Sequence, residues 1–335
     1  MNETGNTAGH TIIVIGTSMG GIEALGKLLS AVPADIPASL FTVMHIHPNS
    51  PSVLDRMLAD KTALTVKFAE DGAVPRPGTL YLAPPDRHLL LEENRMILSR
   101  GPRENRFRPS IDSLFRSAAV AHTSQVIGVL LTGLLDDGTA GLQAIKECGG
   151  IAVVQDPVDA AFPEMPQNAL NTVKVDHCLS LDKMGVLLKE LAREASGQPL
   201  PVPEHLRKEV NISKGLIDPD IEENIMGSPS PFICPDRGGS LTELTDGNLM
   251  RYRCHEGHGY TALSFLDAQW DKVEYSLWTA VRVMEEQASM LRKMATRDPS
   301  HNKVPASGYE LRAEELIDHA ARLKDYLLYN IKKTE

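Results

Sequence analysis

The first 195 residues alternate short apolar runs with stretches of helical periodicity. Apolar residues recur every three or four positions in segments such as GIEALGKLLSAV and SIDSLFRSAAVA, which predicts amphipathic helices. Apolar strands that alternate with helices are typical of a parallel sheet covered on both faces. We therefore predict an α/β domain over residues 11–195, with a doubly wound, mostly parallel sheet and helices on both faces. Its central strands are predicted at IIVIG (12–16), LFTVMHI (40–46), VIGVLLTG (126–133) and IAVVQ (151–155), with an edge hairpin at HLLLEENRMILS (88–99).

The pattern changes after residue 195. Proline, glycine and charged residues dominate 196–230, and no long period survives there, so we predict a linker. A short segment with paired cysteine and histidine residues follows over 231–261. The remaining residues, 262–332, are predicted to form two helices packed as an antiparallel hairpin.

Apolar residues step by three or four positions along both of these helices, as in a coiled-coil seam. Ser307, with Glu310 three residues later, forms a capping box that predicts where the second helix begins. One interpretation is that the two helices bury each other's apolar stripe; a docking surface or a dimer contact is the alternative. The seam residues are Trp270, Val273, Leu277, Ala280, Met284, Ala288, Leu291 and Ala295, then Tyr309, Ala313, Leu316, Ala320, Leu323 and Leu327.

Charge and composition exclude several kinds of partner. The formal net charge is -10, whereas proteins that bind nucleic-acid phosphates usually carry a basic surface. No apolar run reaches the roughly 18 residues of a membrane span, and MNETGNTAGH lacks the basic and apolar regions of a secretory signal. Four cysteines are too few for a disulfide framework in a chain of 335 residues. We therefore expect a cytoplasmic protein without nucleic-acid binding or membrane insertion.

The first predicted strand runs directly into GTSMGG, residues 16–21. A dinucleotide-binding loop of the G-x-G-x-x-G type requires glycine at the position of Ser18. The same residues fit G-x-S-x-G, a sharp strand-to-helix turn that exposes a serine oxygen next to backbone N–H groups. A nucleophilic Ser18 is one interpretation, and a small residue required by a tight turn is the other.

A nucleophilic serine requires a general base, and usually a carboxylate that fixes the tautomer of that base. Open α/β sheets build their sites at the carboxyl ends of the strands. His45 lies at the end of the second predicted strand, His47 is the alternative base two residues further, and Asp136 and Asp137 follow the third. A structural histidine, and aspartates that cap the next helix, are the competing interpretations.

With these stretches in view, residues 11–195 resemble the catalytic domain of the chemotaxis protein-glutamate methylesterase family, CheB. The resemblance rests on six stretches in the family's order: GTSMGG, MHIHP, LAPPDRHLLL, FRPSIDSLFRSAA, LTGLLDDGTAGL and QDPVDAAFPEMPQNA. It implies an enzyme that needs no cofactor, hydrolyses glutamyl methyl esters on the cytoplasmic helices of chemoreceptors, and can deamidate receptor glutamines. It also implies that Ser18 is the nucleophile and His45 the general base. Asp137 is implied as the orienting carboxylate, because the family's aspartate immediately precedes a glycine, here Gly138.

The oxyanion donors implied by the resemblance are the backbone amides of Met19 and Leu134. The chain departs from the family where T-G-M-G reads TGLL (132–135), because leucine in place of glycine limits φ. Two alternative functions stay open on the sequence. One is a catalytically degenerate family member that only binds receptors, and the other is a serine hydrolase of another ester or amide.

The cysteine and histidine segment resembles a zinc ribbon of the form C-P-x-C-G-G followed by R-C-H-x-G-H. Arg237 stands where the second thiolate is required. A structural zinc site has four ligands, and Cys234, Cys254 and His258 provide three, with His255 adjacent at an awkward spacing. We therefore expect a degenerate segment that binds no metal.

Overall fold

The computed structural model describes residues 10–46, 53–194, 197–216, 227–246, 249–296 and 306–331. His47, the alternative base, lies outside these residues. The chain divides into two compact units, Met1–Phe265 and Leu266–Glu335. Within the described ranges, no helix is both long enough and apolar enough to cross a membrane.

A parallel sheet of seven strands forms the centre of the first unit. The strands up to residue 179 are β1 (Thr11–Thr17), β2 (Ala38–Met44), β3 (Thr65–Phe68), β4 (Thr79–Leu82), β5 (His88–Glu92), β6 (Arg95–Ser99), β7 (Val126–Leu130), β8 (Ile151–Gln155) and β9 (His177–Leu179). The sheet order is β3-β4-β2-β1-β7-β8-β9, and all of its neighbouring pairs are parallel. The predicted doubly wound sheet is therefore confirmed, and every residue of β1 and β2 is buried.

Helices cover both faces of this sheet. They are α1 (Gly21–Ser30), α2 (Leu54–Ala59), α3 (Ile111–His122), α4 (Thr139–Glu147), α5 (Glu164–Thr172), α6 (Leu181–Leu191) and α7 (Glu204–Ser213). Side chains alternate between the two faces of a strand, so Ile12 and Val14 of β1 join the core cluster that includes α3 residues. Ile13 and Ile15 join the cluster that includes α1 residues. One apolar strand thus supplies both cores.

The hairpin and two short strands differ in detail from the sequence expectation. β5 and β6 pair in antiparallel fashion as predicted, but they form their own two-stranded sheet rather than an edge of the main one. β3 and β4 have four residues each, and β3 alternates between exposed and half-buried positions, so neither gives a strong apolar run. β7 ends at Leu130, which leaves the rest of the predicted strand free to form a loop.

The predicted linker over 196–230 contains a packed helix. Leu206, Val210 and Ile212 of α7 are buried, so this expectation was wrong for 204–213: apolar spacing within a proline-rich stretch was enough to form a helix. An antiparallel sheet follows, with β10 (Gly227–Ile233), β11 (Ser240–Asp246), β12 (Leu249–Cys254) and β13 (Gly259–Thr261). We call residues 227–261 the ribbon. The first unit continues to Phe265 and includes the ribbon, so the domain predicted to end at 195 is not a separate body.

Buried ion pairs join the ribbon to the parallel-sheet domain. Arg251 and Arg253 of β12 both pair with Glu209 of α7, and both also pair with Glu104. Arg116 of α3 donates to Glu104 at 2.7 Å. Burial alone would raise the pKa of Glu104, but the neighbouring guanidinium groups hold it far below its usual range. The cluster has three positive charges and two negative ones, so the loss of either carboxylate would increase the excess of buried positive charge.

Three side chains of types that can coordinate a metal ion lie close together in the ribbon. The ligand atoms of Cys234, Cys254 and His258 lie within 4.8 Å of one another. A hydrogen bond from Cys254 lowers the pKa of the Cys234 thiol against the opposing effect of burial, which favours the thiolate form that binds metals. His255 is exposed and is not one of the three. Arg237 is also exposed and pairs with Glu256 at 3.6 Å.

The second unit contains two long helices, α8 (Ala262–Thr296, which begins within the first unit) and α9 (Ala306–Ile331). Val281 packs with Ala320 and Leu327 in an apolar cluster, and the second helix starts one residue before Ser307. Trp270 and Val273, predicted in the seam, are 38% and 44% exposed. The helices bury each other's apolar stripe over only part of its length. A dimer contact through these helices stays a prediction.

Replacing Glu209 by glutamine should destabilise the first unit. The substitution keeps the shape of the side chain but leaves three buried arginines with one carboxylate. Breaking a buried ion pair by removing one partner typically costs about 3–5 kcal/mol. Urea unfolding should show a loss of that order for Glu209→Gln. The exposed Glu243→Gln on β11 is the matched control and should shift the free energy of unfolding by under about 0.5 kcal/mol. Equal stabilities of the two variants would contradict the balance argument.

Replacing Arg237 by cysteine should convert the three-donor cluster into a zinc site. A guanidinium cannot act as a thiolate ligand, whereas Arg237→Cys restores the C-x-x-C spacing with Cys234 and supplies a fourth donor. Elemental analysis should find close to one zinc per chain in the variant and much less in the natural protein. Metal binding is coupled to folding, so the variant should also melt at a higher temperature with zinc than with a chelator. A natural protein purified with one tightly held zinc would contradict this expectation.

Candidate active site

Three strand ends bring Ser18, His45 and Asp137 together. β1 lies between β2 and β7, and the strands that follow it are placed first on its β2 side and later on its β7 side. In open α/β sheets, a crevice forms at the carboxyl end of the strand where the order reverses in this way. Ser18 directly follows β1, His45 directly follows β2, and Asp137 lies in the loop after β7. The His45 Nδ1 atom is 3.1 Å from Ser18 Oγ, and His45 Nε2 is 2.7 Å from Asp137 Oδ2. These are the three residues that the sequence proposed.

Glycines shape the turn that presents Ser18. Gly20 has a φ of 75°, in the left-handed region, and α1 begins at the next residue. A Cβ atom on Gly133 would lie 2.9 Å from the Cβ of Ser18 and 2.6 Å from Met165 Cε. Larger residues at these positions would therefore strain the turn or displace the serine. Met165 is fully buried beneath this turn.

The Asp137 carboxylate is buried and fully hydrogen-bonded. Its two oxygens accept bonds from His45 Nε2, Asn105 Nδ2, Ser110 Oγ, and the backbone amides of Ile111 and Asp112. The last two amides are the first of α3, where free N–H groups and the helix dipole favour an anion. Burial alone would raise the pKa of Asp137, but the bonds from His45, Asn105 and the amide of Ile111 hold it below its usual value. The residue is therefore an anion held in a fixed orientation.

This anion fixes the tautomer and orientation of His45. Because an ionised carboxylate can only accept, Nε2 must carry the proton that it donates to Asp137. Nδ1 is then the acceptor that faces the Ser18 hydroxyl, as a general base requires. Phe107 stacks on the imidazole with ring centroids 3.6 Å apart and planes 5° from parallel. The His45 side chain is 5% exposed, so it is held on both its edges and one face.

The neighbouring carboxylates, Asp112 and Asp136, bind different partners outside the triad. Asp112 accepts the amides of Gly138 and Gly141 at the start of α4, so it takes the capping role considered for the two aspartates of the loop. Asp136 accepts a 2.6 Å bond from the Thr261 hydroxyl. Burial, with a smaller contribution from the Asp137 charge and against the Thr261 bond, raises the pKa of Asp136 to about 6. Asp136 thus points away from the triad, towards the ribbon.

The predicted oxyanion donors lie on the turns beside Ser18. The amides of Ser18 and Gly133 donate to Thr132 O and Phe162 O, so they are not available to an oxyanion. Met19 and Leu134, which stay the predicted donors, are 51% and 42% exposed. Leu135 has a φ of 60°, so leucine does adopt the left-handed backbone that the family's glycine suits, at a typical cost of about 1–2 kcal/mol.

Sequence reasoning missed the residues that support the triad. Asn105 and Phe107 lie in ENRF, directly before or within a stretch that the resemblance used, but nothing in their types marked them. Thr261 gave no signal at all, because it lies 156 residues from Asn105 in sequence. Only the fold brings Asn105 to Asp137, Phe107 to His45 and Thr261 to Asn105.

Comparison with known proteins places this site in a family. The family model of the CheB methylesterase matches residues 13–188, a range that contains all three triad residues. A Leptospira interrogans protein, provisionally named a protein-glutamate methylesterase/protein-glutamine glutaminase, is 41% identical over 183 residues, which are 54% of this chain and 95% of that protein. A Photorhabdus laumondii protein with the same name is 37% identical over 195 residues, 57% of this chain and 55% of that protein.

A solved structure agrees with these sequence matches. The crystal structure of the Thermotoga maritima CheB methylesterase catalytic domain matches with a TM-score of 0.54 at 33% identity, over 55% of this chain and all of that one. The family model ends before α7 and the ribbon, so neither of these elements is described by it. The chain belongs to the CheB methylesterase family.

Proposed function

We propose that this chain is a cytoplasmic protein-glutamate methylesterase. It hydrolyses glutamyl methyl esters on the cytoplasmic helices of chemoreceptors, and the same site deamidates glutamine side chains. The observation that carries the proposal is the hydrogen-bonded series from Asp137 through His45 to Ser18 inside the family match. The names of the relatives support the choice of an ester and an amide of glutamate as substrates.

The first half of the reaction forms an acyl-enzyme. Ser18 Oγ attacks the ester carbonyl carbon while His45 Nδ1 takes the hydroxyl proton, and Asp137 stabilises the imidazolium through Nε2. The amides of Met19 and Leu134 are proposed to bind the oxyanion of the tetrahedral intermediate. His45 then returns the proton to the leaving oxygen, and the C–O bond breaks to release methanol. A glutamine substrate releases ammonia at the same step.

The second half returns the free enzyme. His45 removes a proton from a water molecule as the water attacks the acyl carbon, and it then protonates Ser18 Oγ as the ester bond to the enzyme breaks. The product is a glutamate side chain. Every proton moves through one imidazole, so the steps balance without a cofactor.

The surroundings of Ser18 suit a protein substrate. Met19 and Leu134 expose apolar side chains on the two turns that flank the serine. A methyl ester on the surface of a receptor helix can reach only a nucleophile that lies near an open surface. Exposed apolar side chains beside such a nucleophile are a typical feature of protein contact sites.

Replacing Ser18 by alanine tests the proposed nucleophile. The full chain is incubated with methylated receptor fragments, and released methanol is measured together with the mass of the receptor peptides. Ser18→Ala should lower the rate by about 10⁴-fold or more, because loss of a triad nucleophile has effects of that size. Its binding to the receptor and its unfolding midpoint should stay unchanged.

Two outcomes separate the alternatives. Residual hydrolysis above about a tenth of the natural rate would reject Ser18 as the nucleophile. Reaction of Ser18 with a fluorophosphonate probe without release of methanol would indicate a serine hydrolase of another substrate. If neither methanol nor labelling is detected in the natural protein, the chain is a binding protein without this chemistry.

Asp137 and Asp136 provide a second, paired test. Both oxygens of Asp137 accept hydrogen bonds, so in Asp137→Asn the new NH₂ group must face a donor in either orientation of the side chain. The rate should therefore fall by about 10⁴-fold. Asp136→Asn can still accept from Thr261 and should keep most of the activity. Methanol release by the two variants, with their circular dichroism as a check of folding, gives the ranking. The reverse order would assign the acid role to Asp136.

A further inference from the structure

The ribbon holds the turn that carries Asn105 and Phe107. Gly259 of β13 accepts a 2.9 Å bond from the amide of Asn105, and its own amide donates to Arg103 O at 3.2 Å. We call residues 104–107 the acid-side turn, since Asn105 contacts Asp137 and Phe107 contacts His45. Asn105 and Arg106 have φ values of 50° and 73°, a backbone that persists only where surrounding contacts impose it.

Thr261, the last residue of the ribbon, and Ser264 in the first turn of α8 also set the orientation of the Asn105 amide; we call these two residues the ribbon end. The Asn105 Oδ1 atom accepts the amide of Thr261 at 3.0 Å and the hydroxyl of Ser264 at 3.1 Å. With the oxygen fixed on that side, the Nδ2 group must face Asp137 and Asp112, to which it donates at 2.9 and 2.8 Å. A side-chain amide has two nearly equivalent orientations. The two donors from the ribbon end select the one that serves the catalytic carboxylate.

Thr261 makes a second contact, with the loop that carries Asp136 and Asp137. Its hydroxyl donates to Asp136 and accepts the amide of Ser264, so it also caps α8. All three side chains of this junction, Thr261, Ser264 and Asn105, are 1–2% exposed. The buried arginines of β12 bind Glu104, the residue directly before Asn105. Ribbon and acid-side turn are therefore joined by backbone, side-chain and ionic contacts.

We propose that the ribbon end, through Thr261 and Ser264, is a positioning part of the active site. It holds Asn105 in the orientation that donates to Asp137, and it holds Asp136 next to that residue. The site is then competent only while the ribbon is docked on the acid-side turn, so that displacement of the ribbon lowers the rate. The inference rests on the proposed esterase function, since it assigns a role within that reaction.

The test compares Thr261→Val with Thr261→Ser in the full chain. Valine keeps the shape and the backbone amide that donates to Asn105, but it removes the hydroxyl that binds Asp136 and holds Ser264, the other donor to Asn105. Serine keeps that hydroxyl. Thr242→Val, a half-buried threonine on β11 of the same ribbon, is the matched control. Ser264→Ala removes one donor to Asn105 and serves as the second variant if Thr261→Val folds poorly. Methanol release gives kcat and KM, fluorophosphonate labelling gives the reactivity of Ser18, and urea unfolding gives stability.

Thr261→Val and Ser264→Ala should each lower kcat by about tenfold or more with little change in KM, because small displacements of catalytic groups have effects up to about 10²-fold. Thr261→Ser and Thr242→Val should stay within about threefold of the natural rate. In an Asp137→Asn background, Thr261→Val should produce no further loss, because the proposed effect of Thr261 reaches the site through Ser264 and Asn105, and Asn105 acts on Asp137. A merely structural role would instead give a loss that multiplies in both backgrounds and follows the change in stability.

The outcomes keep the two proposals apart. If the natural protein neither releases methanol nor reacts with the probe, the proposed function fails, whatever the variants do. If the natural protein is active and Thr261→Val and Ser264→Ala match it in kcat and labelling rate, the positioning role of the ribbon end is wrong.

Discussion

The geometry of the candidate active site depends on one buried anion, Asp137. The Asp137 carboxylate accepts hydrogen bonds from the residue after β2, from the acid-side turn and from the first amides of α3. Without the carboxylate, each of these N–H groups would lose a hydrogen-bond acceptor. A buried charge is costly unless it is fully hydrogen-bonded. The positions of three separate elements are thus coupled to one side chain. The same bonds that keep Asp137 ionised also decide which imidazole nitrogen carries the proton.

The parts of the fold that bury apolar surface could be read from the sequence. β1, β2, β7 and β8 are nearly continuous apolar runs, as parallel strands covered on both faces must be. The strand ends then placed Ser18, His45 and Asp137 at one edge of the sheet, because parallel strands all end on the same side. The family resemblance chose Asp137 over Asp136, which strand periodicity alone does not distinguish.

The parts that depend on polar contacts between distant segments could not be read in the same way. Arg251, Arg253 and Glu209 are charged residues in a stretch without long apolar periodicity, and such residues are usually exposed. Their burial follows from mutual neutralisation, which a linear pattern does not record. For this reason the sequence predicts a linker and a separate segment where α7 and the ribbon lie, although both belong to the same compact unit as Ser18, His45 and Asp137.

The donors to Asp137 differ in how firmly each is held. The amides of Ile111 and Asp112 belong to the backbone of a buried helix, so they cannot turn away without unwinding it. Asn105 is different, because its side-chain amide can rotate and its backbone has a φ that few residues adopt. A neighbouring segment can therefore change the hydrogen bonding of Asp137 most through Asn105, the donor that is free to rotate. The ribbon end binds that donor, so the electrostatic environment of Asp137 is linked to a segment beyond the matched family domain.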